Sequence, residues 1–240
     1  MVADFASLAG VRGLAEQVRL DFPQGIDVLI NNAGVYEQSL EKSQDGLELT
    51  WAVNVAAPFL LTSLLLGAVR RRVVNVASVS AASSIDFDNL QQERGYSAHG
   101  AYSLSKLADI LFTYEVADRL KTAGSPVTCN CLDPGTVNTK MLLAGWGPIG
   151  MHIQPLAAPR GTGAAQPFHA AVVCCTASAT GSKDANDEYH VATDPALDAV
   201  SSAYFVGSRQ ARSPAVSYDK AVQRRLWGVL EEQTGARWDA

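Results

Sequence analysis

Apolar residues recur along the chain at two spacings, one typical of helices and one typical of buried strands. Residues 8–18 carry apolar side chains at helical spacing behind the candidate caps Asp4 and Ser7. The nearly continuous apolar runs 26–31, 72–77 and 127–132 are typical of strands buried on both faces. The pattern therefore predicts three core strands separated by helices.

Longer apolar stretches predict helices at residues 47–68, 101–122, 163–178 and 217–234, and a last short strand at 203–206. Pro58 is expected to bend the first of these helices. The alternation of strand and helix predicts one α/β domain with a doubly wound parallel sheet that begins at strand 26–31. Residues 179–194 are polar and irregular, and we expect them to form a surface insertion.

Composition supports a globular domain and disfavours several function classes. Of the 240 residues, 48% are hydrophobic and 18% are charged, which excludes a disordered chain. The net charge is −5, and the largest basic cluster is the triplet 70–72, so nucleic-acid binding is not expected. There is no signal-peptide pattern, and the most apolar stretch, 53–66, is too short to span a bilayer. A cytoplasmic protein is expected.

The four cysteines indicate neither a metal site nor a disulfide framework. Cys129 and Cys131 alternate along a predicted strand, and Cys174 and Cys175 are adjacent. Neither pair has the spacing of metal ligands, so we expect no metal and interpret all four as small buried residues in a reducing compartment.

A tyrosine and a lysine, Tyr102 and Lys106, lie four residues apart on one face of a predicted helix. An ammonium beside a phenol favours the phenolate and lowers the phenol's pKa, which suits proton exchange with an alcohol or carbonyl oxygen. Ser78 follows the second core strand, and Gly34 follows the first. The carboxyl ends of parallel strands share one rim, so these residues are expected to meet there.

Five segments together resemble the short-chain dehydrogenase/reductase family: DVLINNAG (27–34), VNVAAPFLLT (53–62), RVVNVAS (72–78), AYSLSKLADILF (101–112) and DPGTVNT (133–139). The likeness is greatest to the retinol-dehydrogenase-like branch, which includes the oxidoreductase domain of WW-domain oxidoreductases. It implies a Rossmann-like fold and hydride transfer between an alcohol or carbonyl substrate and NADP or NAD, with NADP slightly favoured.

The resemblance also implies residue roles. Tyr102 would be the general acid/base, Lys106 its cationic partner, Ser78 the holder of the substrate oxygen, and Asn54 the residue that positions a proton-supplying water. The expected cofactor-binding residues are Asp4, Asn32, Ala33, Gly34, Tyr102, Lys106, Pro134, Gly135 and Thr139.

Purely structural explanations stand beside several of these roles. Asn54 either positions water or bonds backbone near Pro58, and Ser78 either holds substrate or completes a turn. Gly34 either lines the cleft or serves as a turn glycine. Asn31 is expected to tie strands together, and His99 and His152 are expected to be surface or loop residues.

The family's glycine-rich turn, T-G-x-x-x-G-x-G, does not occur in these 240 residues. That turn brings backbone N–H groups onto the cofactor pyrophosphate. We expect roughly 60 residues of the family pattern to be missing, strand 26–31 to lie at an open edge, and this chain to bind the cofactor weakly. The alternative to an enzyme is an inactive fragment or pseudoenzyme that acts only as a binding module.

Partner expectations follow from the same resemblance. The apolar segment 141–156 and the branch likeness favour a lipophilic substrate such as a retinoid or steroid, although that segment has core packing as an alternative. A homodimer through helices 47–68 and 101–122 is expected, with Leu111, Phe112 and Tyr114 either forming the interface or buried in one subunit.

Overall fold

One eight-stranded sheet organises the computed structural model, which describes residues 1–134, 151–155, 170–175 and 183–238. The strands lie side by side in the order β1-β5-β6-β2-β3-β4-β7-β8. Their bounds are β1 Val2–Ala3, β2 Ile26–Asn31, β3 Val69–Val76, β4 Thr128–Asp133, β5 Met151–Pro155, β6 Ala170–Cys175, β7 Tyr204–Val206 and β8 Arg209–Ala211.

The centre of the sheet is parallel and its edges are antiparallel. Strands β6, β2, β3, β4 and β7 pair in parallel, which confirms the predicted α/β, doubly wound, Rossmann-like architecture. The pairs β1–β5, β5–β6 and β7–β8 are antiparallel, so the whole sheet is mixed. The two-residue strand β1 also precedes the strand that we expected to be first.

The expected open edge at β2 is wrong, because β6 pairs with β2 over four residues. This segment was predicted to be part of a helix at 163–178. A short apolar run suits a buried strand as well as a buried helix, since periodicity does not separate the two. With β6 in place, both neighbours of β2 are parallel strands.

The described residues contain six α-helices: α1 Leu8–Asp21, α2 Leu49–Trp51, α3 Ala57–Leu65, α4 Ala98–Thr122, α5 Lys183–Thr193 and α6 Lys220–Thr234. The predictions for α1, α4 and α6 are confirmed to within a few residues. Residues 183–193 are helical, so the irregular conformation predicted for 179–194 is wrong over this range.

A π-helical turn, Ala52–Ala56, lies between α2 and α3 just before Pro58, and the bend predicted there stays a prediction. The N–H of Ala57 bonds the carbonyl of Ala52, five residues earlier. Pro58 has no N–H, so the carbonyl of Asn54 cannot receive the usual α-helical hydrogen bond from it. A π turn at such a point is a common device at functional sites.

A chain of buried polar side chains ties the helices to the strands beneath the site. The amide of Asn31 on β2 donates to Asn75 Oδ1 on β3 at 2.7 Å and to Thr62 Oγ1 on α3 at 2.9 Å. Asn75 in turn donates to Thr113 Oγ1 on α4 at 2.8 Å. The prediction that Asn31 ties strands together is confirmed.

The long helices form the core rather than an exposed interface. Leu111, Phe112 and Tyr114 are at most 2% exposed within one subunit, so their expected role as dimer surface is wrong and the alternative of internal burial is confirmed. The run Leu49–Ala68 is longer than the apolar stretch noted in the sequence and is long and apolar enough to cross a membrane. However, 78% of its most apolar window is buried inside the fold.

Candidate active site

The candidate site lies at the carboxyl rim of the parallel strands, where ligands bind in doubly wound sheets. The order of strands along the chain reverses at β2, with β3 on one side and β6 on the other. Helix α4 begins at Ala98 and is capped by Ser97, whose hydroxyl accepts the Gly100 N–H at 3.0 Å. This start places Tyr102 in the early turns of α4, with its side chain half-buried.

Lys106 connects α4 to the end of β3. Its ammonium donates to the Val76 carbonyl at 2.7 Å and to Asp109 Oδ2 at 3.0 Å, and the residue is 4% exposed. The same Nζ atom lies 5.8 Å from the centre of the Tyr102 ring. The expected pairing of this cation with Tyr102 is therefore geometrically available on one helix face.

The side chain of Asn54 is fully engaged with protein. Its Oδ1 accepts the Val35 N–H at 2.8 Å, and its Nδ2 donates to the Val35 carbonyl and to Ser105 Oγ, both at 3.0 Å. Ser105 in turn donates to the Tyr102 carbonyl at 2.7 Å. The backbone-bonding explanation is confirmed for the side chain, while the water-positioning role stays a prediction.

Ser78 lies just beyond β3 in a turn. Its Oγ accepts the Ser80 N–H at 3.1 Å, as the turn explanation predicts. The loop then reaches α4, where the Ala82 N–H donates to the Ser103 carbonyl at 2.9 Å. Ser78 itself is half-buried. Its role in holding a substrate oxygen remains a prediction.

The loop after β2 passes beside Lys106 without a side chain at Gly34. A Cβ built there would lie 3.6 Å from Asn54 Oδ1 and 3.7 Å from Lys106 Nζ. Gly34 is not among the glycines with positive φ, so the turn-glycine explanation does not account for it. In the same loop Ala33 is 8% exposed and Asn32 is half-buried.

The other expected cofactor residues are less informative. Asp4 is exposed, and its carboxylate accepts the Ala6 N–H at 2.9 Å and the Gln44 side-chain amide at 3.2 Å. Pro134 is half-buried just after β4, whereas Gly135 and Thr139 lie outside the described residues. For the two histidines, His99 lies in the first turn of α4 with Nε2 3.4 Å from Ser103 Oγ, and His152 lies in β5.

Two side chains next to the predicted pair were missed. Tyr36 places its ring centre 5.5 Å from that of Tyr102, at an interplanar angle of 51°. Asp109 is 3% exposed, and this burial raises its pKa to about 7, although the Lys106 ammonium pulls it back down. The available signals were the short spacing of Tyr36 from Gly34 and the i,i+3 spacing of Lys106 and Asp109.

Comparison with known proteins gives a consistent result. The family model described as short chain dehydrogenase matches residues 1–144. Retinol dehydrogenase 14 from Homo sapiens is 35% identical over 97% of this chain, which spans 65% of that relative's length. Polyprenol dehydrogenase from Danio rerio is 33% identical over 95% of this chain, which spans 67% of the relative.

Solved structures agree on the fold. A crystal structure of an uncharacterized protein from Mycobacterium paratuberculosis is 26% identical, with a TM-score of 0.72 covering 99% of this chain and 76% of the other. A blue fluorescent protein from a metagenomic library, in complex with NADPH, is 22% identical, with a TM-score of 0.54 covering 85% of this chain and 72% of the other. The second likeness supports the fold alone.

Proposed function

The chain belongs to the short-chain dehydrogenase family, and from that membership we propose that it interconverts an alcohol and a carbonyl with NADP or NAD. The observation that carries this proposal is the Lys106 ammonium, held 5.8 Å from the centre of the Tyr102 ring. A fixed cation at this distance is placed to stabilise the negative charge that develops on a phenol oxygen during proton exchange with an alcohol.

The residues at the rim fit a nicotinamide cofactor. Because Gly34 has no side chain, the backbone of this loop lies beside the Lys106 ammonium. An ammonium next to bare backbone is suited to a ribose hydroxyl, and Asn32, Ala33 and Pro134 would complete this wall. When bound, the dinucleotide gives hydride to a carbonyl carbon or takes it from an alcohol carbon.

Proton transfer is the work of the chain's own residues. In reduction, the Tyr102 hydroxyl gives its proton to the carbonyl oxygen and becomes a phenolate, and in oxidation the phenolate takes the proton back from the alcohol. The Ser78 hydroxyl donates a hydrogen bond to the same oxygen. Lys106 stabilises the phenolate by its charge in either direction.

We propose that Asn54 supplies protons through its backbone rather than its side chain. The side-chain amide is committed to Val35 and Ser105. The backbone carbonyl of Asn54, by contrast, lies in the π turn. It receives no α-helical hydrogen bond from residue 58, because Pro58 has no N–H. A water bonded to that carbonyl would connect the Lys106 region with solvent.

A lipophilic substrate is the best supported class. The relatives are named as dehydrogenases of retinol and polyprenol, both apolar alcohols. Tyr36 adds an aromatic ring beside Tyr102, and Val79, next to Ser78, is 64% exposed. Apolar surface on both sides of the reacting groups would desolvate a long hydrocarbon substrate.

The test is the rate of retinol and polyprenol oxidation by the purified protein. The cofactor is supplied at millimolar concentration, so that dinucleotide binding does not limit the measured rate. We expect turnover in the wild type and a loss of about 10²–10⁴-fold in Tyr102→Phe, the range that general acid/base catalysis contributes. Tyr218→Phe is the matched control, since Tyr218 is 48% exposed on the 3₁₀ turn Ala215–Tyr218, where its hydroxyl accepts the Ser213 N–H at 3.1 Å.

The same experiment separates the enzyme from the binding-module alternative. A wild type without turnover on any apolar alcohol or aldehyde, together with retained dinucleotide binding, would favour the pseudoenzyme. A Tyr102→Phe variant as fast as the wild type would remove the proposed acid/base.

A further inference from the structure

A buried carboxylate shares the ammonium on which the proposed mechanism depends. Asp109 lies on α4 three residues after Lys106, and its Oδ2 accepts from Lys106 Nζ at 3.0 Å. Both side chains are at most 5% exposed. A second donor of the ammonium goes to the Val76 carbonyl at 2.7 Å. Two of its three donors therefore hold Lys106 against the protein.

Among the described residues, few charges other than that of Lys106 bear on the Asp109 carboxyl. On β4, Cys131 faces the Asp109 carboxyl, and burial raises the pKa of its thiol well above the ordinary value. Tyr114 on α4 and Tyr204 on β7 lie against Cys131, and burial raises the pKa of both phenols. These three groups stay neutral at physiological pH, while Asp133 at the end of β4 acts on Tyr204. Among the described residues, Lys106 is thus the principal charge facing Asp109.

We propose, on the basis of the function proposed above, that Asp109 is a positioning residue of the reaction: it holds the Lys106 ammonium and sets how much of its positive charge acts on Tyr102. An ionised Asp109 neutralises the pair, so that little net charge reaches the phenol. A neutral Asp109 no longer opposes the positive charge that Lys106 holds beside the Tyr102 ring. The carboxyl itself touches neither substrate nor phenol, and it acts through Lys106 alone.

This arrangement couples the reaction to pH near neutrality. Burial raises the pKa of Asp109 to about 7, although Lys106 opposes the rise. The carboxyl therefore changes its charge near neutral pH. As it ionises, it opposes formation of the Tyr102 phenolate, because two negative charges would then share one ammonium.

The test is the pH dependence of alcohol oxidation, measured from about pH 5 to 10 in four proteins. Asp109→Asn keeps the shape and removes the charge, so its rising alkaline limb should move to lower pH by about one unit, as expected when one charge leaves a buried site. Asp109→Glu, which keeps the charge, should return the limb toward the wild type. Asp118→Asn removes an exposed carboxylate from the same helix and should leave the limb in place.

Each outcome decides the role. An active Asp109→Asn variant whose alkaline limb has the same midpoint pH as the wild type would overturn the proposed role of Asp109. An equal shift of the limb in Asp118→Asn would overturn it too. No turnover in the wild type would count against the proposed function itself, and this role would fall with it. Melting temperatures of the four proteins, measured at each pH, show that the compared states are folded.

Discussion

The side chain of Asn54 bonds both backbone groups of Val35, accepting its N–H at 2.8 Å and donating to its carbonyl at 3.0 Å. A single buried amide thus fixes the loop that follows β2 against the π turn. Because this loop carries Gly34, the same contact sets where backbone passes Lys106. The structural and functional explanations of Asn54 are therefore two parts of one arrangement.

Replacing Asn54 with alanine should damage both stability and turnover. The change leaves the buried N–H and carbonyl of Val35 without their side-chain partner, and each lost partner costs about 1–3 kcal/mol. We expect a loss of about 2–5 kcal/mol in unfolding free energy and at least a ~10-fold lower turnover from a loosened Gly34 loop. Urea unfolding and steady-state rates measure the two effects.

Asn89 offers a matched control for this substitution. It bonds the backbone of Arg94 in the same two-sided way, with its Nδ2 at 3.0 Å from the carbonyl and its Oδ1 at 3.1 Å from the N–H, but at the surface. Water can replace those bonds, so Asn89→Ala should cost only about 0–1 kcal/mol. Equal losses for the two variants would argue against the special role of the buried contact.

The central strands and the catalytic pair were predictable because each has a strong local signal. The run at β2 is nearly continuously apolar, as a strand buried on both faces requires, and its bounds match the prediction. Tyr102 and Lys106 share one helix face by spacing alone. In both cases the signal lies within a few consecutive residues.

The features that were missed depend on contacts distant in sequence. The run at β6 becomes a strand because its backbone pairs with β2, more than a hundred residues earlier. Asp109 resembles an ordinary polar helix residue until the burial of α4 and the direction of Lys106 are known. Spacing identified the candidate residues, but only packing showed which charges remain next to one another.

Gly34→Ala should leave the fold intact and weaken cofactor use. The added Cβ would make ordinary contacts, at 3.6 Å from Asn54 Oδ1 and 3.7 Å from Lys106 Nζ. The methyl group would, however, occupy space beside the ammonium that the proposal reserves for ribose. We expect a nearly unchanged melting temperature and about a 10-fold higher KM for the cofactor, equivalent to roughly 1.4 kcal/mol.

Gly25→Ala provides the opposite pattern. Gly25 has a φ of +83°, and a Cβ there would lie 2.5 Å from the Ala68 carbonyl oxygen. This variant should lose about 1–3 kcal/mol of stability through backbone strain and steric clash. Its cofactor KM, measured below its melting temperature, should stay near the wild-type value.

The outcome that contradicts the Gly34 prediction is a cofactor KM that is unchanged in Gly34→Ala. That result would place the dinucleotide elsewhere.

The free energy of unfolding should depend on pH through the ionisation of Asp109. Its folded-state pKa of about 7 is above the ordinary value of 3.8, so the folded state binds this proton more tightly than the unfolded chain. The stability that this provides is complete below the unfolded pKa and is lost as pH rises through about 7. Between these limits the wild type should lose up to about 1.4 kcal/mol per pH unit relative to Asp109→Asn.

Chemical unfolding of both proteins across this pH range measures the difference. The difference in unfolding free energy between the wild type and Asp109→Asn should narrow or reverse as pH rises. It should become constant above about pH 8. A gap independent of pH would mean that Asp109 ionises at its ordinary pKa in the folded protein.

Transfer of isotope from the cofactor to the substrate tests the proposed hydride transfer itself. The protein is incubated with NADPH or NADH carrying deuterium at the reactive C4 position, one preparation for each face, and with retinal as the carbonyl substrate. We predict that one of the two faces delivers deuterium to the carbinol carbon of retinol, and that Tyr102→Phe slows the transfer by about 10²–10⁴-fold. Retinol formed without deuterium from either face, or label transferred equally well by Tyr102→Phe, would contradict this prediction.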